Sequence, residues 1–103
     1  RRQLYPVGDV SDEEILNGFR LNQNYPNPFN PATNIGFRIA DFGFVTLKVF
    51  NIIGEEVVTL VNEEKHIGNY QVKFNAVGLP SGIYLYRLQA GDFISTKKMI
   101  LIK

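Results

Sequence analysis

Apolar side chains recur at every second position over most of this chain, and this period of two restricts the fold more than any other feature of the sequence. Such alternation is typical of a β-strand with one buried face. The clearest runs cover residues 35–39, 45–49 and 70–74, and turn-forming Gly, Asn and Asp residues separate them. Seven strands are predicted, near residues 20–24, 34–39, 44–50, 56–61, 69–74, 82–90 and 93–102.

Short strands at this spacing, with no helical period after residue 18, are typical of an all-β sandwich or barrel. We predict an antiparallel β-sandwich. Gly91 and Asp92, between the last two strands, predict a two-residue hairpin loop because Gly readily takes the positive φ that such a loop needs. The side chains predicted to form the core are Ile35, Phe37, Val45, Leu47, Val49, Tyr70, Val72, Phe74, Tyr84 and Leu88.

Residues 1–18 differ from the rest and are predicted to be a linker or the end of a preceding domain, with the folded domain at residues 19–103. Ser11 and Glu14 fit the capping box of one short helical turn. Four of the ten acidic side chains fall in this stretch, which we expect to be the least ordered part. Because the chain lacks an initiator Met and the apolar stretch of a signal peptide, we expect it to be a piece of a longer protein.

Few side chains of this sequence suit catalysis or metal binding. Cysteine is absent and His66 is the single histidine, so a metal site or catalytic triad would lack its usual ligands or base. Ser81 lies outside a Gly-x-Ser-x-Gly turn, and the glycines form no phosphate-binding loop. No apolar run approaches the roughly 18 residues of a membrane-spanning helix. We therefore predict no catalytic, cofactor-binding or metal-binding residue, and no cofactor.

Charge is unevenly distributed along the chain. Residues 1–64 carry five basic and nine acidic side chains, whereas residues 65–103 carry six basic and one acidic. The basic half favours either an acidic partner surface or a solvated sheet face. Two adjacent lysines, Lys97 and Lys98, are too few to indicate a nucleic-acid-binding surface.

A proline-rich segment interrupts the strand pattern between the first two predicted strands. Proline lacks an N–H and forces the residue before it into an extended conformation, so the segment cannot lie inside a sheet. We predict an extended crossing or corner in which two aromatic rings anchor the segment in the core, and in which Asn27 and Asn30 bond to their own neighbouring backbone. The residues of this motif are Tyr25, Pro26, Asn27, Pro28, Phe29 and Pro31.

Both faces of the last predicted strand turn apolar at its end, although a strand with one buried face should alternate. Met99 and Leu101 lie on one face, and Ile100 and Ile102 on the other. One pair must then be covered by loops or by a partner. We hypothesise a partner, bound by strand addition at an open edge as one mode; lysines that only guard the edge are the alternative. The residues of this hypothesis are Lys97, Lys98, Met99, Ile100, Leu101, Ile102 and Lys103.

Five motifs in register resemble the type A C-terminal sorting domain of proteins exported by the type IX secretion system. The first is the segment from Phe19 through the prolines to Ile35, and the second is the pair of strands at residues 49–54 and 56–61. A Gly-x-Tyr element, a Leu-x-Ser-Gly-x-Tyr element and a closing Lys-Met-x-Leu-x-Lys signature follow. Their residues include Gly68, Tyr70, Ser81, Gly82, Tyr84 and Lys98 to Lys103.

The resemblance implies an immunoglobulin-like β-sandwich of about seven strands that is not an enzyme. It implies a secretion signal that directs a larger cargo protein through the periplasm and across the outer membrane to the cell surface. Its implied partners are an outer-membrane translocon and a cell-surface peptidase, with neither nucleic acid binding nor direct membrane insertion. The sequence also leaves a weak homodimer open.

Two other functions fit an all-β module of this size. The first is a structural immunoglobulin-like spacer of an extracellular enzyme or appendage protein, because the proline motif is also similar to that of flagellar hook-capping proteins. The second is a carbohydrate-binding module. The absence of Trp and the scarcity of Tyr on strand faces weigh against the second function, because sugars are usually bound on exposed planar aromatic rings.

Overall fold

The computed structural model describes residues 18–103, and the predictions for residues 1–17 lie outside this range. Seven strands form in the described part, all close to the predicted positions. Their bounds are β1 (Arg20–Leu21), β2 (Ala32–Ile39), β3 (Gly43–Asn51), β4 (Glu56–Lys65), β5 (Gly68–Asn75), β6 (Gly82–Ala90) and β7 (Phe93–Leu101).

The strands form two antiparallel sheets that pack face to face. One sheet has the order β1-β2-β5, and the other has the order β4-β3-β6-β7. The prediction of an all-β, immunoglobulin-like sandwich is therefore confirmed. In constant-type immunoglobulin domains the fourth strand joins the sheet of strands one, two and five, whereas here β4 pairs with β3.

Alternation along the strands places one face of each sheet in a shared apolar core. Eight of the ten predicted core side chains are buried, and the other two, Tyr70 and Val72, are half-buried against the core. Both lie on β5, which has a neighbouring strand on one side only. Beyond these ten, the core also contains the buried apolar side chains Leu21, Phe29, Ile39, Val61, Ala76, Tyr86, Ala90, Met99 and Leu101.

The hairpin predicted between β6 and β7 is present. Ala90 pairs with Phe93, so Gly91 and Asp92 form a two-residue loop, and Gly91 has a φ of 61°. A left-handed φ of this kind favours Gly because it has no Cβ. The hairpin pairs β6 with β7 along its full length, from Gly82 with Leu101 to Ala90 with Phe93.

The two Gly-x-Tyr elements of the sequence begin strands β5 and β6 in the same way. The Tyr84 hydroxyl donates a hydrogen bond of 2.7 Å to the carbonyl of Pro80, and the Tyr70 hydroxyl donates one of 2.7 Å to the carbonyl of His66. Each bond reaches back four residues, as in the tyrosine corner of immunoglobulin-like folds. The motif tyrosines therefore hold the chain where it enters a strand.

Strand β4 is an edge of the four-stranded sheet and is irregular. Its register against β3 shifts twice, between Leu47 and Lys48 and again between Val49 and Phe50. Such bulges increase the local twist and discourage pairing with another chain. At its start, a hydrogen bond from Thr59 and the charge of Lys48 lower the pKa of the Glu56 carboxyl. Irregularity and charge together protect this edge.

The two tyrosine corners provide a matched pair of stability tests. Tyr84→Phe should lower the free energy of unfolding by about 1 kcal/mol, because the lost hydrogen bond is partly buried. Tyr70→Phe should cost less, because water can replace its exposed hydrogen bond. Urea unfolding followed by intrinsic fluorescence measures both values. Equal losses in the two variants would contradict the assignment.

Candidate functional site

The last residues of the chain divide between the core and the surface. Met99 and Leu101 are buried, whereas Ile100 is half-buried and Ile102 is 50% exposed. Lys98 and Lys103 are exposed and Lys97 is half-buried. The apolar pair on the second face, for which the sequence could not decide between loops and a partner, is thus only partly covered by the domain itself.

The outer edge of β7 is not open at its end. Phe29 forms a parallel bridge with Leu101: its N–H donates to the carbonyl of Ile100 at 2.9 Å, and its carbonyl accepts from the N–H of Ile102 at 3.0 Å. The Asn27 side chain accepts from the N–H of Ile100 at 3.0 Å, which corrects the prediction that it bonds to its own neighbouring backbone. The prediction of an open edge for strand addition is wrong over residues 98–102, because the domain's own proline-rich segment occupies it.

The two aromatic rings of the proline-rich segment take opposite positions. Phe29 is 2% exposed and packs against Phe74 with ring centroids 6.0 Å apart, as predicted. Tyr25 is 80% exposed, so the prediction that it anchors the segment in the core is wrong. The physical reason is register: Tyr25 pairs directly with Asn34, whose side chain is exposed on the outer face of β2.

A buried polar network holds the start of this segment in place. The Tyr86 hydroxyl, on the opposite sheet, donates to the carbonyl of Asn22 and accepts from the N–H of Asn24, both at 2.8 Å. The Asn24 amide donates to the Thr33 hydroxyl at 3.0 Å and to the carbonyl of Pro26 at 3.1 Å. Thr33 in turn donates to the same carbonyl at 2.8 Å. Burial raises the pKa of the Tyr86 hydroxyl to about 12, and the Asn24 hydrogen bond opposes this shift.

Two further contacts join the motifs to the end of the chain. The Gln23 side chain donates to the carbonyl of Lys98 at 2.7 Å. The Ser81 hydroxyl, at the end of the Leu-Pro-Ser-Gly loop, accepts from the N–H of Lys103 at 3.1 Å. The proline-rich segment, the Ser-Gly loop and the closing signature, which lie far apart in the sequence, therefore meet around the end of β7.

A small apolar strip lies on the outer face of the four-stranded sheet beside this junction. Ile83 is 39% exposed and pairs directly with Ile100. Ile102 follows on the same side by alternation. We call this strip and its flanking charge the closing-strand face; its residues are Ile83, Lys98, Ile100 and Ile102, and exposed Lys103 follows directly after it.

The rest of the described structure shows little that resembles a reactive centre. Within residues 18–103, no three His, Cys, Asp or Glu side chains lie close enough to hold a metal ion. The His66 ring packs against Phe42 with centroids 4.8 Å apart. The same part of the chain contains no helix long and apolar enough to cross a membrane.

Sequence reasoning missed the residues that bind the crossing to both sheets, namely Gln23, Asn24 and Tyr86. A signal was present in the run of three amides at residues 22–24, directly before Tyr25 and Pro26. Amide side chains carry both donors and an acceptor, so they can form hydrogen bonds with backbone groups that proline, which has no N–H, leaves without a partner. Which groups they would satisfy depends on β6 and β7, some 60 to 75 residues away along the chain.

Tyr86→Phe tests the polar network. The variant leaves the N–H of Asn24 and the carbonyl of Asn22 without a partner inside the protein, so we expect a loss of about 1–3 kcal/mol in the free energy of unfolding. Urea denaturation measures it, with Tyr70→Phe as the matched control. A loss no greater than that of the control would show that the network contributes little.

The raised pKa of Tyr86 predicts a pH dependence of stability. Between pH 10, the ordinary value for tyrosine, and about 12, the unfolded chain releases the Tyr86 proton while the folded chain keeps it. The free energy of unfolding should therefore fall as the pH rises through this window. Other groups titrate there too, so the measured quantity is the difference between the parent chain and Tyr86→Phe. A difference that stays constant across the window would contradict the prediction.

Comparison with known proteins identifies the family of this fold. Residues 23–103 match the family model described as the secretion system C-terminal sorting domain, and no curated protein matches the chain. The family is a sorting signal of type IX secretion: it interacts with the secretion machinery and is exported to the cell surface or the extracellular space. Since the match covers far more than half of the sequence, the chain belongs to the type IX secretion-system C-terminal sorting domain family.

Proposed function

We propose that this domain is a non-catalytic address that directs a larger cargo protein across the outer membrane, and that the machinery reads it through the closing-strand face. The observation that carries the proposal is the apolar strip of Ile83, Ile100 and Ile102, which remains partly exposed and has Lys98 and Lys103 beside it. An apolar centre with a polar rim is the usual composition of a protein interface.

The proposal assigns different roles to residues 97–103, the seven residues for which the sequence predicted partner binding. Met99 and Leu101 are buried and therefore act by shaping the face from below. Lys98, Ile100, Ile102 and Lys103 present side chains to a partner. Lys97 is half-buried on the opposite side of β7, so it is not assigned a direct contact.

Recognition through side chains fits the occupied edge of β7 better than strand addition does. The outward backbone groups of Lys98, Ile100 and Ile102 already bond to Gln23, Asn27 and Phe29. A partner strand would have to displace three anchored residues, one of them buried in the core. The partner surface therefore recognises the folded domain, with its proline-rich segment in place.

In this proposal the outer-membrane translocon meets the closing-strand face in the periplasm, and the cell-surface peptidase acts on the chain after export. The cut would fall in or just before residues 1–18, the predicted linker. A structural spacer is the alternative function. It differs in one respect: the side chains of a spacer's outer face would not affect export.

Export of a reporter tests the closing-strand face. The full 103-residue chain is fused behind a periplasmic reporter in a host with this secretion system, and Ile102→Ser with Lys98→Glu is introduced. We expect the reporter to accumulate in the periplasm, because the partner loses an apolar contact and meets a reversed charge. Deletion of residues 98–103 is unsuitable, because it also removes buried Met99 and Leu101 from the core.

The matched control is Ile67→Ser with Lys73→Glu. Ile67 is 60% exposed and lies in the turn between β4 and β5, at the other end of the sandwich. This control should export like the parent. Thermal unfolding must show that both double variants fold. Normal export of the folded test variant would refute the closing-strand face and favour the spacer.

A further inference from the structure

The outer face of the three-stranded sheet carries residues to which the proposed sorting function assigns no role. Pairing across β1, β2 and β5 places its residues in three rows, because directly opposed residues of antiparallel strands point to the same side. The rows are Arg20, Arg38 and Asn69; Asn22, Gly36 and Gln71; and Tyr25, Asn34 and Lys73. We call this set the amide face.

Tyr25 supplies an exposed aromatic ring at one end of the amide face. Its side chain is 80% exposed, and no aromatic or cation–π contact within residues 18–103 involves it. The electron-rich face of such a ring attracts the positively polarised C–H groups of a sugar ring. The sequence weighed against carbohydrate binding because it offered few tyrosines on strand faces, and the register of Tyr25 against Asn34 places one there.

Two arginines lie at the other end of the amide face, and within residues 18–103 neither of them forms a salt bridge. Arg20 and Arg38 are directly opposed on neighbouring strands, an arrangement that repels, and Lys73 lies in the row of Tyr25. The paired residues of this face include no Asp or Glu. Arg38 bonds within the described residues only to the Asn69 amide, at 3.4 Å. A bound anion would relieve the repulsion between the two arginines, which form strong paired hydrogen bonds to carboxylates.

Amide side chains fill the space between the ring and the arginines. Asn34, Asn69 and Gln71 are exposed, and each offers both a donor and an acceptor to a hydroxyl group. Gly36 keeps the centre flat: a Cβ there would lie 3.0 Å from the Asn22 side-chain nitrogen, which rests over it. From Asn34 to Arg38 the face extends about 13 Å along β2. This length accommodates more than one sugar unit.

We propose that the amide face binds an anionic polysaccharide, with a sugar ring stacked on Tyr25, hydroxyl groups bonded to the amides, and an acidic group held by Arg20 and Arg38. The proposal is independent of the closing-strand face, which lies on the other sheet. A protein partner fits less well, because Tyr25 is the one large apolar side chain on the face, whereas protein interfaces have an apolar centre. Export to the cell surface or extracellular space favours a polysaccharide over a nucleic acid.

Calorimetric titration of the 103-residue chain with oligogalacturonate, a carboxylated sugar chain, tests the proposal. We expect binding that neutral dextran does not show and that weakens strongly in about 0.5 M salt. Tyr25→Ala should reduce the affinity about five- to tenfold, as loss of an aromatic contact does. Arg20→Gln should reduce it too, and should weaken its salt dependence.

Two substitutions elsewhere serve as matched controls. Phe42→Ala removes an aromatic side chain that is 54% exposed but lies off the amide face, and Lys98→Gln removes a charge from the other sheet. Both should bind oligogalacturonate like the parent, and thermal unfolding should show all variants folded. Lack of binding, equal binding of dextran, equal affinity of Tyr25→Ala and the parent, or tighter binding of a single-stranded oligonucleotide would each overturn the proposal. The same two variants separate polysaccharide binding from export: Lys98→Gln changes only the closing-strand face, and Tyr25→Ala changes only the amide face.

Discussion

The contact between the proline-rich segment and the end of β7 is the constraint on which the rest of this structure depends. β7 is an edge strand whose last residues contribute Met99 and Leu101 to the core. Left unpaired, its outward backbone groups would be a template for pairing with other chains. Phe29, Asn27 and Gln23 bond to these groups and so close the edge. The prolines on either side of Phe29 suit a segment that closes an edge, because proline has no N–H to donate to a further strand.

This closure also joins the two sheets. The segment begins beside β1 and ends as β2 in the three-stranded sheet, yet it bonds to Tyr86 on β6 and to β7 in the four-stranded sheet. Tyr86 is fully buried, so its hydrogen bonds have no competition from water. A domain whose last strand is held in this way presents its C-terminal residues in one conformation. A signal that is read in the folded state requires such rigidity.

The outer faces of the two sheets have opposite characters and are free to serve separate purposes. The closing-strand face is apolar with lysines beside it, whereas the amide face combines one aromatic ring, amides and arginines. In the sandwich they lie on opposite sides, so a ligand on one need not obstruct the other. The two proposed functions, export through the closing-strand face and polysaccharide binding through the amide face, can therefore be changed separately by mutation.

The sequence by itself determined the seven strands, most of the core and the family, because a period of two and local turn residues are properties of neighbouring positions. It also marked the proline-rich segment and the closing strand as exceptions to the pattern. Only the tertiary structure decided that these two exceptions contact each other, that Met99 and Leu101 rather than Ile100 and Ile102 face the core, and that Tyr25 points outward. Alternation indicates that the two faces of a strand differ. Which face of the closing strand is buried, and which segment lies beside it, depend on packing between residues that are some 70 positions apart.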